Sequence, residues 1–262
     1  MLKKTLVLIA VLLFSAIALA DVKVVSPVEK YSLENQVIEA GSIQAGETLE
    51  IIFSTFSGSQ EDWVKASAAS LPEGWTALAV LQARNKNTLI LHVTAPKTAA
   101  NGAFQFDSVL EDAKGSQQKA GFLVFVQDDL ITSQVDSLKK TANSGEDITF
   151  VYTLNNDSIA EHKVEIYSSL PLTWFAPKTL TLKPKSSQQL VIAISPKNYG
   201  VKKFSFFTKS LLTEKVLSEI SPRIEVKPSL KSKYEAALYG FPFFTPSLLP
   251  YYWFNSFIGQ LA

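Results

Sequence analysis

Leu71-Pro72-Glu73-Gly74-Trp75 comes back 99 positions later as Leu170-Pro171-Leu172-Thr173-Trp174. The same offset carries Gly46-Glu47 onto Gly145-Glu146 and Leu49 onto Ile148, and one position more carries Pro96-Lys97 onto Pro196-Lys197. Self-similarity at a fixed period is the mark of a structural unit used more than once. A chain of 262 residues has room for two such units at about 100 residues each. Proline removes a ladder donor and glycine admits positive φ, so the first copy of the stretch must take the chain out of a strand.

Strand signals run outward from it. In the first copy Val22-Lys23-Val24 alternates apolar with charged, residues 37–43 follow, and a turn at Ala45-Gly46-Glu47 leads into an apolar run over 49–56. Alternation marks a strand with one buried and one wet face. Residues 64–70, 76–80, 88–94, 104–110 and 122–126 complete the copy. In the second copy, residues 135–138, 148–154, 164–167, 180–182, 190–194, 204–207 and 224–226 read as strands, and Asn155-Asn156-Asp157 as a loop. No 3.6-residue apolar periodicity persists long enough for a core helix. The body is therefore predicted all-β, each copy a two-sheet sandwich of short strands with turn signals every 8 to 12 residues or so.

The stretch Leu71-Pro72-Glu73-Gly74-Trp75, the strand Leu89-Ile90-Leu91-His92-Val93, and Thr94-Ala95-Pro96-Lys97-Thr98-Ala99-Ala100-Asn101-Gly102-Ala103-Phe104 together resemble the alpha-galactosidase-associated immunoglobulin-like modules of prokaryotic secreted and cell-surface proteins. The likeness covers most of residues 40–110. In the second copy Leu172-Thr173 replaces the glycine-bearing pair, and Ser195-Pro196-Lys197-Asn198-Tyr199-Gly200 is shortened. The resemblance implies immunoglobulin-like (Ig-like) sandwiches outside the cell and brings no catalytic residues with it. The expected organisation is a signal peptide at 1–20, tandem Ig-like β-sandwiches at 21–127 and 128–228, and a hydrophobic tail at 229–262.

The leader is read from Lys3-Lys4, an apolar and small run over 6–20, and an Ala18-Leu19-Ala20 end before Asp21. That is the pattern of a cleaved secretory signal, and the run is short of the roughly 20 residues a spanning helix needs. Net charge is +1, with Lys3 and Lys4 supplying two of the positive charges, so no nucleic-acid partner is expected. Cysteine is absent, which removes disulfides, thiolate metal sites and thiol nucleophiles. His92 and His162 are the only imidazoles. No catalytic constellation, metal site or cofactor is expected, and the chain is read as no enzyme.

The tail is the second unusual stretch. Residues 236–262 carry no charge, and Tyr239, Phe241, Phe243, Phe244, Tyr251, Tyr252, Trp253, Phe254 and Phe257 crowd into it. Pro242, Pro246 and Pro250 disfavour a continuous spanning helix, each costing about 3 kcal/mol in a helix interior. Lys227, Lys231 and Lys233 lie before it, with nothing basic after it, which reverses the positive-inside pattern for an exported body. Tyr and Trp favour the membrane interface. The readings are interfacial attachment, with a short helix over 231–239, docking on a membrane or envelope protein or folding back, and a true span.

Trp75 and Trp174 read as core plugs or as sugar-stacking platforms, with their recurrence favouring the core, while the unmatched Trp63 is the better candidate for a surface contact. Asp128-Asp129 reads as a solvated linker or a calcium site, and Asn156-Asp157-Ser158 as an N-glycosylation acceptor. Lys197, Lys202, Lys203 and Lys209 cluster near one expected hairpin of the second copy, as a solvated face or one suited to anionic headgroups. The expectation is an exported, envelope-associated, non-enzymatic structural or binding protein. Its alternative is a carbohydrate-binding accessory module of an envelope enzyme complex.

Overall fold

The computed structural model describes residues 22–32, 36–54, 63–81, 88–196, 199–228 and 249–261. The expected leader and the expected 231–239 helix fall outside these residues, as do Tyr239, Phe241, Phe243 and Phe244. The described chain forms two compact units. Unit 1 runs to Ile131 and also takes in Asn156–His162 and Thr181–Ser186, while unit 2 holds Thr132–Asn155, Lys163–Leu180 and the residues from Ser187 on.

Among its described residues, unit 1 contains nine whole strands: β1 (Val22–Ser26), β2 (Lys30–Ser32), β3 (Val37–Ile43), β4 (Thr48–Ser54), β5 (Trp63–Ala69), β6 (Thr76–Leu81), β7 (Thr88–Thr94), β8 (Gly102–Asp112) and β9 (Gln117–Val126). One sheet has the order β2-β1-β4-β7-β6 and the other β3-β9-β8-β5, with β3 parallel to β9. Setting aside the short β2, these are the A-B-E-D and C-F-G sheets of an Ig-like sandwich, with β3 added along the G strand. The apolar run over 49–56 builds the core through every second residue of β4. Leu49, Ile51 and Phe53 of β4 face Phe106, Phe122 and Val124 of the second sheet, all at or near zero exposure. Each such side chain contributes about 1.5–3 kcal/mol by leaving water. In β3 the alternation breaks at Gly41, where a bulge shifts the register against β9.

The remaining described strands, which lie wholly or mostly in unit 2, are β10 (Ile131–Val135), β11 (Lys139–Asn143), β12 (Ile148–Asn156), β13 (His162–Ser168), β14 (Lys178–Leu182), β15 (Ser186–Ile194), β16 (Gly200–Lys203), β17 (Phe206–Ser210), β18 (Val216–Ile220) and β19 (Arg223–Lys227). The sheets are β10-β12-β15, β14-β13-β17-β18 and β11-β19-β16. The strand after the repeated stretch has changed sides: β6 lies beside β7 in unit 1, whereas β14 lies beside β13. Phe150 and Tyr152 of β12 meet Phe206 edge-on, with ring centroids 6.0 and 5.6 Å apart.

The strand expected over 135–138 is replaced by β10 and β11 on either side of it, because Ser137 makes a turn, its hydroxyl donating to the Lys139 carbonyl at 2.7 Å. The loop expected at 155–157 begins later, β12 running through Asn156. The strand expected over 204–207 is split, β16 ending before Phe204 and β17 starting at Phe206.

Candidate functional site

The Gly46-Glu47 turn carries the most concentrated chemistry in the described chain. Gly46 takes φ of 80°, open to glycine at no steric cost, and its amide donates to the Pro96 carbonyl at 3.2 Å. The tight turn brings the Glu47 carboxylate back onto the Gln44 amide, which donates to Oε2 at 2.8 Å. Ser158 Oγ donates to the same oxygen, and His162 Nδ1 lies 2.5 Å from Oε1. Glu47, Ser158 and His162 are all fully buried. A carboxylate only accepts, so the geometry makes the serine hydroxyl, the imidazole and an amide its three donors.

These are the residue types of a nucleophile, base and acid, but their order is wrong for that chemistry. The serine hydroxyl donates to the carboxylate, and the imidazole is bonded to that same carboxylate, so the order is not that of a serine activated by a histidine which an acid orients. With no exposed face, the cluster has no room for a substrate. Its effect is to tie 156–162 into unit 1 across more than a hundred residues of sequence. The same segment is fixed by Ile159, whose amide donates to the Ser42 carbonyl at 3.0 Å, and by Lys185, whose amide donates to the Ser158 carbonyl at 2.9 Å. Ile159 Cγ2 lies only 2.9 Å from where a Cβ on Gly41 would stand.

Asn156 belongs to this network, which overturns its reading as a glycan acceptor. The side chain is 1% exposed; Nδ2 donates to the Ala160 and Lys183 carbonyls at 2.9 Å, and Oδ1 accepts from the Ser158 amide. The nitrogen a glycan needs is enclosed and already bonded in the folded protein.

Trp63 is likewise no surface contact, since it is buried in the unit 1 core at 6% exposure. Trp75 is a core plug, 6% exposed, its ring 5.4 Å from Phe104 and 6.3 Å from Phe106. Trp174 departs from the core role expected of it. It is half-buried, and Phe175 fills the core instead at 5.8 Å from Phe206. The cause is local: Gly74 at φ 78° closes a turn in which the Trp75 amide reaches the Pro72 carbonyl. Without that glycine the second copy winds further, both Trp174 and Phe175 amides donating to the Pro171 carbonyl, and the next residue reaches the core.

Asp128 accepts at its carboxylate from Asn101 Nδ2 at 3.2 Å and at its carbonyl from Gln44 Nε2 at 2.7 Å. His92 lies across from Glu50 on the wet face of the β4–β7 pair, at 3.1 Å. Among the described residues, no three His, Asp or Glu side chains gather where they could hold a metal.

The tail's described part is helix α1 (Leu249–Leu261), which contains Tyr251, Tyr252, Trp253, Phe254 and Phe257. Pro250 sits in its first turn, where proline's missing amide costs nothing, so the third proline starts this helix rather than breaking it. Trp253 and Phe254 are 68% and 67% exposed and Phe257 57%, while Ser256 is only half-exposed. Thirteen residues rise about 20 Å, short of a bilayer's hydrocarbon core of about 30 Å. No described helix is long and apolar enough to cross a membrane.

Sequence reading singled out Gly46-Glu47 for its recurrence and missed the partners. The available signal was His162, one of only two histidines, standing 99 positions after the buried Trp63 and thus at a core position.

No family model and no curated protein matches the sequence. Among solved structures the chain is similar to the D00-D0 domain of Intimin, at 10% identity and TM-score 0.28, covering 76% of this chain and 98% of that one. It is also similar to a chimeric titin Z1Z2 functionalized with a KLER exogenous peptide from decorin, at 12% identity and TM-score 0.38, covering 81% and 99%. A beta-glucosidase from Listeria innocua aligns at 14% identity and TM-score 0.28 over 38% of this chain and 16% of that one. At these scores the likenesses say nothing of function, and the Ig-like assignment rests on the strand order of unit 1.

Proposed function

We propose that the chain is an exported, envelope-associated, non-enzymatic binding or structural protein, made of two Ig-like modules that arose by tandem use of one unit and attached through its C-terminal tail. The observation that carries the attachment is α1, an uncharged helix whose Trp253, Phe254 and Phe257 face outward. An aromatic patch of this kind in water invites association, and indole and phenyl rings are favoured at the headgroup level of a bilayer. The matched turns at Gly46-Glu47 and Gly145-Glu146 support the tandem origin. Export, and the place among alpha-galactosidase-associated modules, rest on the sequence resemblance and the leader pattern. The carbohydrate-binding alternative loses Trp63 and Trp75 as stacking platforms, both being buried.

The test is co-flotation with phosphatidylcholine vesicles. The intact chain is expected to float, and to do so equally at low and high salt, because α1 carries no charge to screen. Trp253→Ser with Phe254→Ser and Phe257→Ser is expected to stay at the bottom of the gradient, as is a chain lacking 229–262. Flotation of the triple variant, or recovery of the natural protein in the cytosol, overturns the proposal.

A further inference from the structure

In unit 2 two neighbouring strand paths break at one level. β16 gives way to β17 at Phe204-Ser205, and β18 gives way to β19 at Ser221-Pro222. The breaks leave a half-open cavity of about 520 Å³ lined by Ser169, Lys203, Phe204, Ser205, Ser221, Pro222 and Arg223. Three serine hydroxyls line it, those of Ser169 and Ser221 exposed and that of Ser205 half-buried. The Ser205 amide donates to Ser169 Oγ at 2.9 Å, and Ser205 Oγ and Ser221 Oγ stand 2.8 Å apart. In a pair of hydroxyls one hydrogen is shared and the other is left to donate, and Ser169, accepting from an amide, still carries its own.

Basic groups outnumber acidic ones on this face, Lys139, Lys203 and Arg223 standing against Glu225. Lys203 lies directly across from Arg223 in the antiparallel β16–β19 pair, and Lys139 lies across from Arg223 on its other side. Lys139 is paired with Glu225 at 3.1 Å. Neither Lys203 nor Arg223 has a carboxylate within ion-pair distance among the described residues. Like charges set opposite each other across a strand pair are destabilising on their own. An anion between them reverses the sign, and a guanidinium beside an ammonium and free hydroxyls is a donor set for a tetrahedral oxyanion.

We infer that this cavity binds a phosphate or sulfate ester group, held by Lys203 and Arg223 with the hydroxyls of Ser169, Ser205 and Ser221 as neutral donors. The site is independent of the attachment assigned to α1, and its test needs no membrane.

Inorganic phosphate and inorganic sulfate are titrated, each against sodium chloride at matched ionic strength, into the isotopically labelled full-length chain. Saturable shifts of the Ser169, Ser205 and Arg223 amides are expected, with Kd on the order of millimolar. Lys203→Gln with Arg223→Gln is expected to weaken binding at least about tenfold with the amide spectrum otherwise kept. Ser221→Ala, a milder change, is expected to weaken it about threefold, and it serves if the double variant does not fold. Shifts that grow linearly and equal those in chloride overturn the inference, as does unchanged affinity in a folded variant. Competition for the same resonances by phosphatidylglycerol but not phosphatidylcholine vesicles identifies a lipid headgroup as the source of the ester. Phosphate or sulfate binding without such competition identifies a soluble or glycan-borne one.

Discussion

Gly46-Glu47 in unit 1 and Gly145-Glu146 in unit 2 build the same turn and put it to different uses. Both glycines take φ near 80°, and both turns draw the glutamate carboxylate back to the amide three residues earlier, at 2.8 Å on Gln44 and 2.9 Å on Asn143. Both glycine amides donate to a proline carbonyl, that of Pro96 or Pro196. The local sequence fixes this much, since glycine permits the turn and the glutamate caps it. The surroundings then diverge. Glu146 is exposed and its carboxylate ends at the cap, while Glu47 is fully buried and accepts from Ser158 and faces His162 as well. A capping device common to both copies has become in one of them the centre of a closed polar network. Local motif and distant partner are thus separate sources of stability, and substitutions at matched positions separate them.

The tryptophans give the widest gap. Trp75→Ala empties a plug set against Phe104 and Phe106, and about 3–5 kcal/mol of unit 1 stability is expected to go with it, read by urea unfolding. Trp174→Ala, at the half-buried position, is expected to cost under half as much, and Phe175→Ala to cost what Trp75→Ala costs. Equal losses at Trp75 and Trp174 would erase the difference drawn between the copies.

Next in size is the glutamate pair. Glu47→Gln leaves the hydroxyl of Ser158 and the ring of His162 facing an amide at fully buried positions, and a loss of about 2–3 kcal/mol is expected. Glu146→Gln weakens only an exposed cap, and at most about 1 kcal/mol is expected. Amide hydrogen exchange sharpens the contrast: in Glu47→Gln the amides of Ile159 and Ala160 are expected to lose protection first, while Glu146→Gln leaves them as they were.

Why the sequence yields the turns and not the network follows from what each depends on. The apolar run over 49–56 and the alternation over 148–154 are properties of adjacent residues, and the strands they announce put Leu49, Ile51, Phe53, Ile148, Phe150, Tyr152 and Leu154 in the core. The all-β body and most strands are legible for the same reason. The side of the sandwich a strand joins is decided by pairing, so nothing in residues 178–182 announces that β14 lies beside β13 rather than β15. Asn156 is harder still. Its Asn-x-Ser spacing is local and readable, whereas its burial depends on the carbonyls of Leu182 and Lys183, which only the folded chain brings to it. Trp174 shows the limit of likeness: the loss of the glycine is plain in Leu172-Thr173, but that the glycine sets which residue points inward shows only in the folded turn.

A smaller effect tests how closely 156–162 is applied to unit 1. Gly41→Ala sets a side chain at φ 119° and 2.9 Å from Ile159 Cγ2, so both backbone strain and contact oppose it. A loss of about 1–2 kcal/mol is expected, and Ile159→Ala placed in the same chain is expected to recover the steric part of it while leaving the strain. Gly145→Ala has nothing within 4 Å to meet and is expected to show the strain alone.

The smallest effect is in acid, and it separates the units by the kind of partner a carboxylate keeps. Burial works to raise the Asp112 carboxyl, but the amides of Ser116 and Lys114, each donating at 2.8 Å, outweigh it and hold the group below the ordinary carboxylate range. Asp136 is also held low: burial again opposes, and Lys140 Nζ at 2.5 Å together with the Val151 amide prevails. A carboxyl depressed in the folded state adds stability that is fully present above its unfolded pKa, near 4, and is lost as pH falls through the folded value. Asp112→Asn and Asp136→Asn are therefore each expected to differ most from the natural chain at neutral pH, with the gap closing below about pH 4. Salt divides them. The Asp136 gap rests partly on a charged partner and is expected to narrow between low salt and about 1 M, where screening acts within about 3 Å, while the Asp112 gap, made by fixed amides of its own turn, is expected to hold. A salt response at Asp112 as large as that at Asp136 would mean that a distant cation and not the turn holds its carboxyl low.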